Sequence, residues 1–127
     1  MDNKEFSAIR KNLGKTQNEM AHLLGVSLKA VQSFEQGWRN IPAHSERQML
    51  FLLAKKRYLS ERNKPCWVIQ KCSMETRRHC PAWEFRVGEL CWFINGTICQ
   101  EEVQESWPEK MKMCRRCKVF KPILDSL

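Results

Sequence analysis

Apolar residues in the first sixty positions recur at helical spacing. Phe6, Ile9 and Leu13 fall at i, i+3 and i+7, one face of a helix, and Gly14 follows as a stop. Thr16 and Glu19 stand at capping-box spacing, where hydroxyl and carboxylate satisfy orphan backbone donors, so a second helix is predicted through Leu24. Gly25 can take the left-handed turn cheaply. Ser27 then suits the N-cap of a third helix with Val31 and Phe34 inward and Gly37 at its end. Pro42 fits the first turn of a fourth helix, with Leu50, Leu53 and Ala54 inward and Lys55, Lys56 and Arg57 near its C-terminus. The pattern is that of a four- to five-helix bundle.

Past residue 64 the periodicity is lost. Cys, Trp, Phe, Val and Ile concentrate at Trp67–Gln70 and Cys91–Ile94, which predicts short strands in an otherwise irregular module. The whole chain is expected to be mainly α, with little regular structure in the second half. Composition changes at the same place. All seven cysteines and four of the five tryptophans lie beyond residue 65, so the division is drawn at Asn63-Lys64-Pro65, giving domains 1–64 and 65–127. The first carries 12 Lys and Arg against 6 Asp and Glu, net +6; the second carries 10 against 8, net +2.

With 127 residues, there is room for one ordinary domain or two small modules, and the smaller the module the more it needs a metal or disulfides. A net charge of +8 suits a polyanion partner such as nucleic acid. The start, Met-Asp-Asn-Lys-Glu, is polar, and the longest apolar run, Met49 to Ala54, is six residues. Neither a secretory signal nor a membrane span is therefore expected, and the reading is a cytoplasmic protein. Thiols stay reduced there, so a Cys-dense segment points to metal or redox chemistry more than to structural disulfides.

Two short helices joined by a glycine turn have the helix-turn-helix layout. The series Gln17, Ala21, Gly25, Ser27, Val31, Phe34, Glu35, Gly37 and Ala43 resembles the phage-repressor/Cro type of helix-turn-helix domain, over roughly residues 4–57. That resemblance implies double-stranded DNA as partner, bound by a homodimer, with the third helix in the major groove. It implies that Gln17 touches phosphate and that Ser27, Leu28, Lys29, Gln32 and Ser33 face the groove. Arg39 and Asn40 would contact backbone or bases from the following loop. Lys and Gln suit purine edges, and Leu28 a thymine methyl. Trp38 departs from the pattern, being a large aromatic where smaller residues are common.

The cysteines have their own rhythm. Cys66-Trp67 recurs as Cys91-Trp92 twenty-five residues on, each followed by a further cysteine, Cys72 and Cys99, as in a degenerate internal repeat. Cys80-Pro81 and Cys114-x2-Cys117 complete the set. Four thiolates ligate either a tetrahedral zinc or a 4Fe–4S cluster. Zinc sites usually show two tight Cys pairs and this chain has one, whereas Cys-Pro occurs at iron–sulfur ligands. The first expectation is a 4Fe–4S cluster, the alternative is zinc, and redox disulfides or free core thiols remain open. All seven, Cys66, Cys72, Cys80, Cys91, Cys99, Cys114 and Cys117, are candidate ligands, with Cys80, Cys99, Cys114 and Cys117 favoured. Seven is odd, so one thiol cannot pair within the chain. His79 stands beside Cys80 as an incidental neighbour. The order CW…C…CPA…CW…GTxC…CxxC over about residues 65–121 resembles the two-CW module found alone or attached to bacterial regulatory proteins. Gln100-Glu101-Glu102 after Cys99 departs from the glycine and lysine usual in that module.

These readings combine as a one-component transcriptional regulator whose Cys-rich module senses redox state, oxygen or metal. The alternative is a protein-interaction adaptor with an always-on, metal-stapled platform. No G-x-S-x-G, H-E-x-x-H or phosphate-cradling loop is present, and no thioredoxin-like pattern follows Cys114-x2-Cys117, so no enzyme activity is expected.

Overall fold

The computed structural model describes residues 1–58, 64–125 and 127. Among these residues the chain is mainly α-helical, as the pattern predicts. It separates into two compact units, Met1–Lys56 with Leu127, and Arg57–Ser126. Of the expected boundary, Lys64 and Pro65 lie in the second unit and Asn63 lies outside the described residues.

The first unit holds α1 (Asn3–Asn12), α2 (Gln17–Leu24), α3 (Leu28–Gln36) and α4 (Ala43–Tyr58). Its helix starts are made by local side chains. Asp2 accepts from the Glu5 N–H at 2.7 Å. Thr16 and Glu19 form the reciprocal capping box, at 3.1 and 3.0 Å. Ser27 accepts from the Ala30 N–H at 3.1 Å. Between α2 and α3, Gly25 sits at φ +68°, and the Val26 N–H reaches back to the Ala21 carbonyl at 3.0 Å. Pro42 was expected inside α4 but precedes it, offering its carbonyl to the Glu46 N–H at 3.0 Å. A proline ring can occupy either place, because neither requires its missing donor.

Phe6, Ile9, Met20, Ala21, Ala30, Val31, Phe34, Met49, Leu50, Leu53 and Ala54 form the buried interior, with Phe6 and Phe34 edge to face at 5.7 Å. One half-buried polar centre ties three helices to it. Glu35 of α3 takes the Arg10 guanidinium of α1 on both oxygens and the Gln17 amide of α2 at 2.8 Å. Asn3 donates to the Glu35 carbonyl at 3.2 Å. Burial works to raise the Glu35 carboxyl, but the bonds from Arg10 and Gln17 and the Arg10 and Lys11 charges outweigh it and hold the group below its usual 4.5.

The second unit is built from short pieces: α5 (Cys66–Ile69), α6 (Met74–Arg78), α7 (Pro81–Glu84), a 3₁₀ turn (Gly88–Leu90), α8 (Cys91–Ile94), a hairpin of β1 (Ile98–Cys99) and β2 (Glu102–Val103), α9 (Trp107–Arg116) and α10 (Lys121–Leu124). The two expected strands are helices instead. Trp67–Gln70 falls in and just after α5, and Cys91–Ile94 is α8. A four-residue strand needs a neighbour to pair with, whereas a single helical turn bonds to itself, here Gln70 N–H to Cys66 at 2.8 Å and Asn95 N–H to Cys91 at 2.9 Å. The strand that does form pairs Ile98 with Val103 and Cys99 with Glu102. Its two-residue turn, Gln100-Glu101, has φ of 49° and 71°, the conformation for which Asn-Gly is the usual choice.

Trp92 is the hub of this unit's apolar packing, fully buried with Phe120 edge on at 5.3 Å, and Met111, Val119 and Ile123 are buried too. Trp67 packs edge on to Trp83 at 4.9 Å, and the Arg86 guanidinium lies 4.0 Å from the Trp83 ring centre. The backbone passes close to itself where the 3₁₀ turn meets the head of α5. A Cβ at Gly88 would stand 2.6 Å from the Pro65 Cβ and 2.9 Å from the Cys66 nitrogen.

Gly88→Ala should therefore destabilise the second unit by about 1–3 kcal/mol, read as a lower denaturant midpoint in the tryptophan signal; an unchanged midpoint would contradict this packing. In the first unit, Glu35→Gln should cost about 1–3 kcal/mol at pH 7. Because the folded carboxyl titrates below 4.5, its contribution is complete above that pH and is lost as pH falls through the lower folded value. The gap between wild type and variant, followed by far-UV circular dichroism, should then close in acid.

Candidate functional site

The seven cysteines come from seven places in the second unit and meet at one. Cys66 and Cys91 are the first residues of α5 and α8, and Cys80 is the N-cap of α7 ahead of Pro81. Both Cys-Trp pairs thus open a one-turn helix, so the sequence repeat corresponds to a repeated local structure. Cys72 follows Lys71, held at φ 54°, and Cys99 ends β1. Cys114 lies in the last turn of α9 and Cys117 caps it, donating its N–H to the Cys114 carbonyl at 2.9 Å. All seven are free thiols lining one cavity of about 270 Å³, together with Trp92, Asn95 and Phe120. The structure brings together all seven expected ligands rather than the favoured four.

The polar groups of this wall point hydrogen at sulfur. Cys117 receives the Gln70 amide at 2.9 Å and the Val119 N–H at 3.4 Å, and Cys80 receives the Asn95 amide at 3.5 Å. The Gln100 side chain bonds Cys72. Lys110 of α9, only 2% exposed, donates to the Gly96 carbonyl at 2.9 Å, and its charge pulls the Cys114 thiol down. Two buried atoms of lining residues, the Trp92 ring nitrogen and the Asn95 Oδ1, have no partner.

Burial controls the thiols. It pushes Cys114 up to about 11, against the pull of Lys110. Cys99 is raised for the same reason with the same opposition, and Cys72 by burial and by Cys66 and Cys80 nearby. Cys66 and Cys91 share a hydrogen bond that raises Cys91, with desolvation adding to the rise, and lowers Cys66. Most of these thiols therefore stay protonated near neutrality unless a cation compensates them. Among the described residues, no three Cys, His, Asp or Glu side chains converge closely enough to hold one ion. The donor set, all sulfur with amide donors behind it, suits soft metals and metal–sulfur clusters. His79 is exposed and does not line the cavity.

In the first unit, Ser27, Leu28, Lys29 and Gln32 lie on the solvent side of α3, with Ser33 half-buried. The Ser27 hydroxyl serves as the α3 cap. Gln17 is committed through its amide nitrogen to Glu35. Arg39 and Asn40 are exposed, with the Arg39 guanidinium 5.5 Å from the Phe34 ring centre, and Trp38 does not pack, being 78% exposed. Among the described residues no helix is long and apolar enough to cross a membrane.

Comparison with protein-family models, with characterised proteins and with solved structures gives no match. The sequence reading missed Lys110, Asn95, Gln70 and Gln100. A signal existed for one of them, since Lys110 stands four residues before Cys114 and so on the same helical face.

A raised thiol keeps its proton in the folded state at a pH where the unfolded chain has lost it, so its contribution is present below 9.0 and lost as pH rises toward the folded value. Metal-free protein should accordingly lose stability in the second unit between pH 9 and about 11. Thermal melts followed by tryptophan fluorescence will show this as a falling midpoint; a flat profile would mean that Cys114 titrates normally.

Proposed function

We propose that this chain is a DNA-binding transcriptional regulator whose second unit holds a metal–sulfur group and senses redox state, oxygen or metal. What carries the reading is the joining, in one chain, of a helix that leaves Leu28, Lys29 and Gln32 to solvent with a cavity lined by seven free thiols. The exposed head of α3 has the chemistry for base edges and the thiol cavity the chemistry for a soft cation. A 4Fe–4S cluster would supply an oxygen-labile, redox-active group; zinc would supply a structural one. The residues to hold it are Cys80, Cys99, Cys114 and Cys117 with Cys66, Cys72 and Cys91 around them.

Regulation then follows from linkage. Occupancy or oxidation of the cavity matters only as far as it favours one DNA-binding state over the other. The DNA-binding form is a homodimer on half-sites about one helical turn apart.

The test is to select operators from random duplex DNA with anaerobically loaded protein. Lys29→Ala and Gln32→Ala should each weaken the selected site by about 1–3 kcal/mol and relax its sequence preference. Binding without any sequence preference, or both variants matching wild type, would reject the DNA-reading role. Affinity that is the same for loaded, air-exposed and metal-stripped protein would reject the sensor and leave a constitutive platform.

A further inference from the structure

Lys110 poses a problem of charge. The residue is 2% exposed, and its ammonium donates to one carbonyl, that of Gly96 at 2.9 Å, with the Cys114 thiol near enough to feel its charge. No Asp or Glu is among the described residues that line the cavity; the other charged one is Arg116, also a cation. A buried ion without a counter-ion is costly, and neutral thiols do not supply one. The buried Trp92 ring N–H, in a residue on the same wall, also has no acceptor. The amides of Gln70 and Asn95 donate to cysteine sulfur at 2.9 and 3.5 Å. The wall is complementary to something anionic and rich in sulfur.

Size narrows the choice. About 270 Å³ corresponds to the liquid volume of roughly nine waters. A single zinc ion with four thiolates at about 2.3 Å closes its own cage and leaves no such space. The thiols are spread around the cavity rather than gathered on a point, since no three ligating side chains converge on one ion among the described residues.

We infer that the cavity takes a polynuclear, net-anionic metal–sulfur cluster bound by thiolates, and that Lys110 is the buried counter-charge that sets its reduction potential. This deepens the proposed function and rests on it only in requiring that the cavity hold a metal group. A fixed positive charge stabilises the more negative, reduced form, so Lys110 favours uptake of one electron by the cluster. It acts as a positioning and tuning residue; the ligands are the cysteines.

The experiment uses the full chain reconstituted without oxygen with ferrous iron and sulfide. Metal and sulfide are assayed, and the potential is measured by titration with dithionite as the electron donor. Wild type should contain several irons and sulfides per chain. Lys110→Met should shift the one-electron reduction equilibrium at least tenfold toward the oxidised form, 59 mV more negative, and Lys110→Arg should return it toward wild type. A wild type that holds one metal ion without sulfide, or none, overturns the cluster. Equal potentials in wild type and Lys110→Met overturn the counter-charge. Should Lys110→Met fail to fold, Lys110→Gln, which keeps a donor for the Gly96 carbonyl, decides between the same two results. These readouts involve no DNA, so their failure is separable from failure of the regulator reading.

Discussion

The second unit is governed by one constraint: seven thiols and the buried Lys110 border a single cavity. Burial raises the Cys72, Cys99 and Cys114 thiols, the last to about 11, and leaves Lys110 almost no contact with solvent. A charge buried there is costly unless another compensates it. The scaffold around the cavity is made of short pieces. Its helices α5, α7 and α8 are single turns, too short to persist by their own hydrogen bonds. Their fixed points are Trp92 against Phe120, the close approach of Gly88 to Pro65, and the cysteines themselves. Were these thiols to hold a metal, the free energy of its binding would also be free energy of folding.

The first unit is stabilised in the opposite way, by ordinary local chemistry. Each of its first three helices has a side-chain cap, and α2 and α3 end on left-handed glycines. Glu35 gathers Arg10 and Gln17 into one charge-assisted centre joining α1, α2 and α3. With Ala30, Val31 and Phe34 buried, the opposite side of α3 carries no packing role. Leu28, Lys29 and Gln32 can then be chosen for what they touch outside the molecule. Gln17 at the head of α2 is tied into this centre through its amide nitrogen.

Much of the first unit was legible because its signals are local. A capping box, an N-cap serine and a glycine stop act within four residues, so Thr16, Glu19, Ser27, Gly25 and Gly37 say where helices begin and end whatever the rest of the chain does. The second unit resisted for the converse reason. In Cys66–Ile69 and Cys91–Ile94, β-branched and aromatic residues suggest strands, but strand formation depends on a partner that the sequence does not bring alongside. The only pairing among the described residues forms at Ile98–Cys99 and Glu102–Val103, across a Gln100-Glu101 turn with no glycine to announce it.

The sequence by itself determined a mainly helical chain, the first three helix boundaries, the step in composition and the concentration of sulfur after residue 65. It also named the seven thiols. Tertiary structure alone decided that all seven face one cavity, because residues between 66 and 117 in the chain are brought together by packing around Trp92 and not by spacing. It alone distinguished Lys110 from the other twenty-one Lys and Arg residues. A lysine in the sequence is a solvated charge by default; this one is buried beside sulfur, with no carboxylate among the described residues that line the cavity.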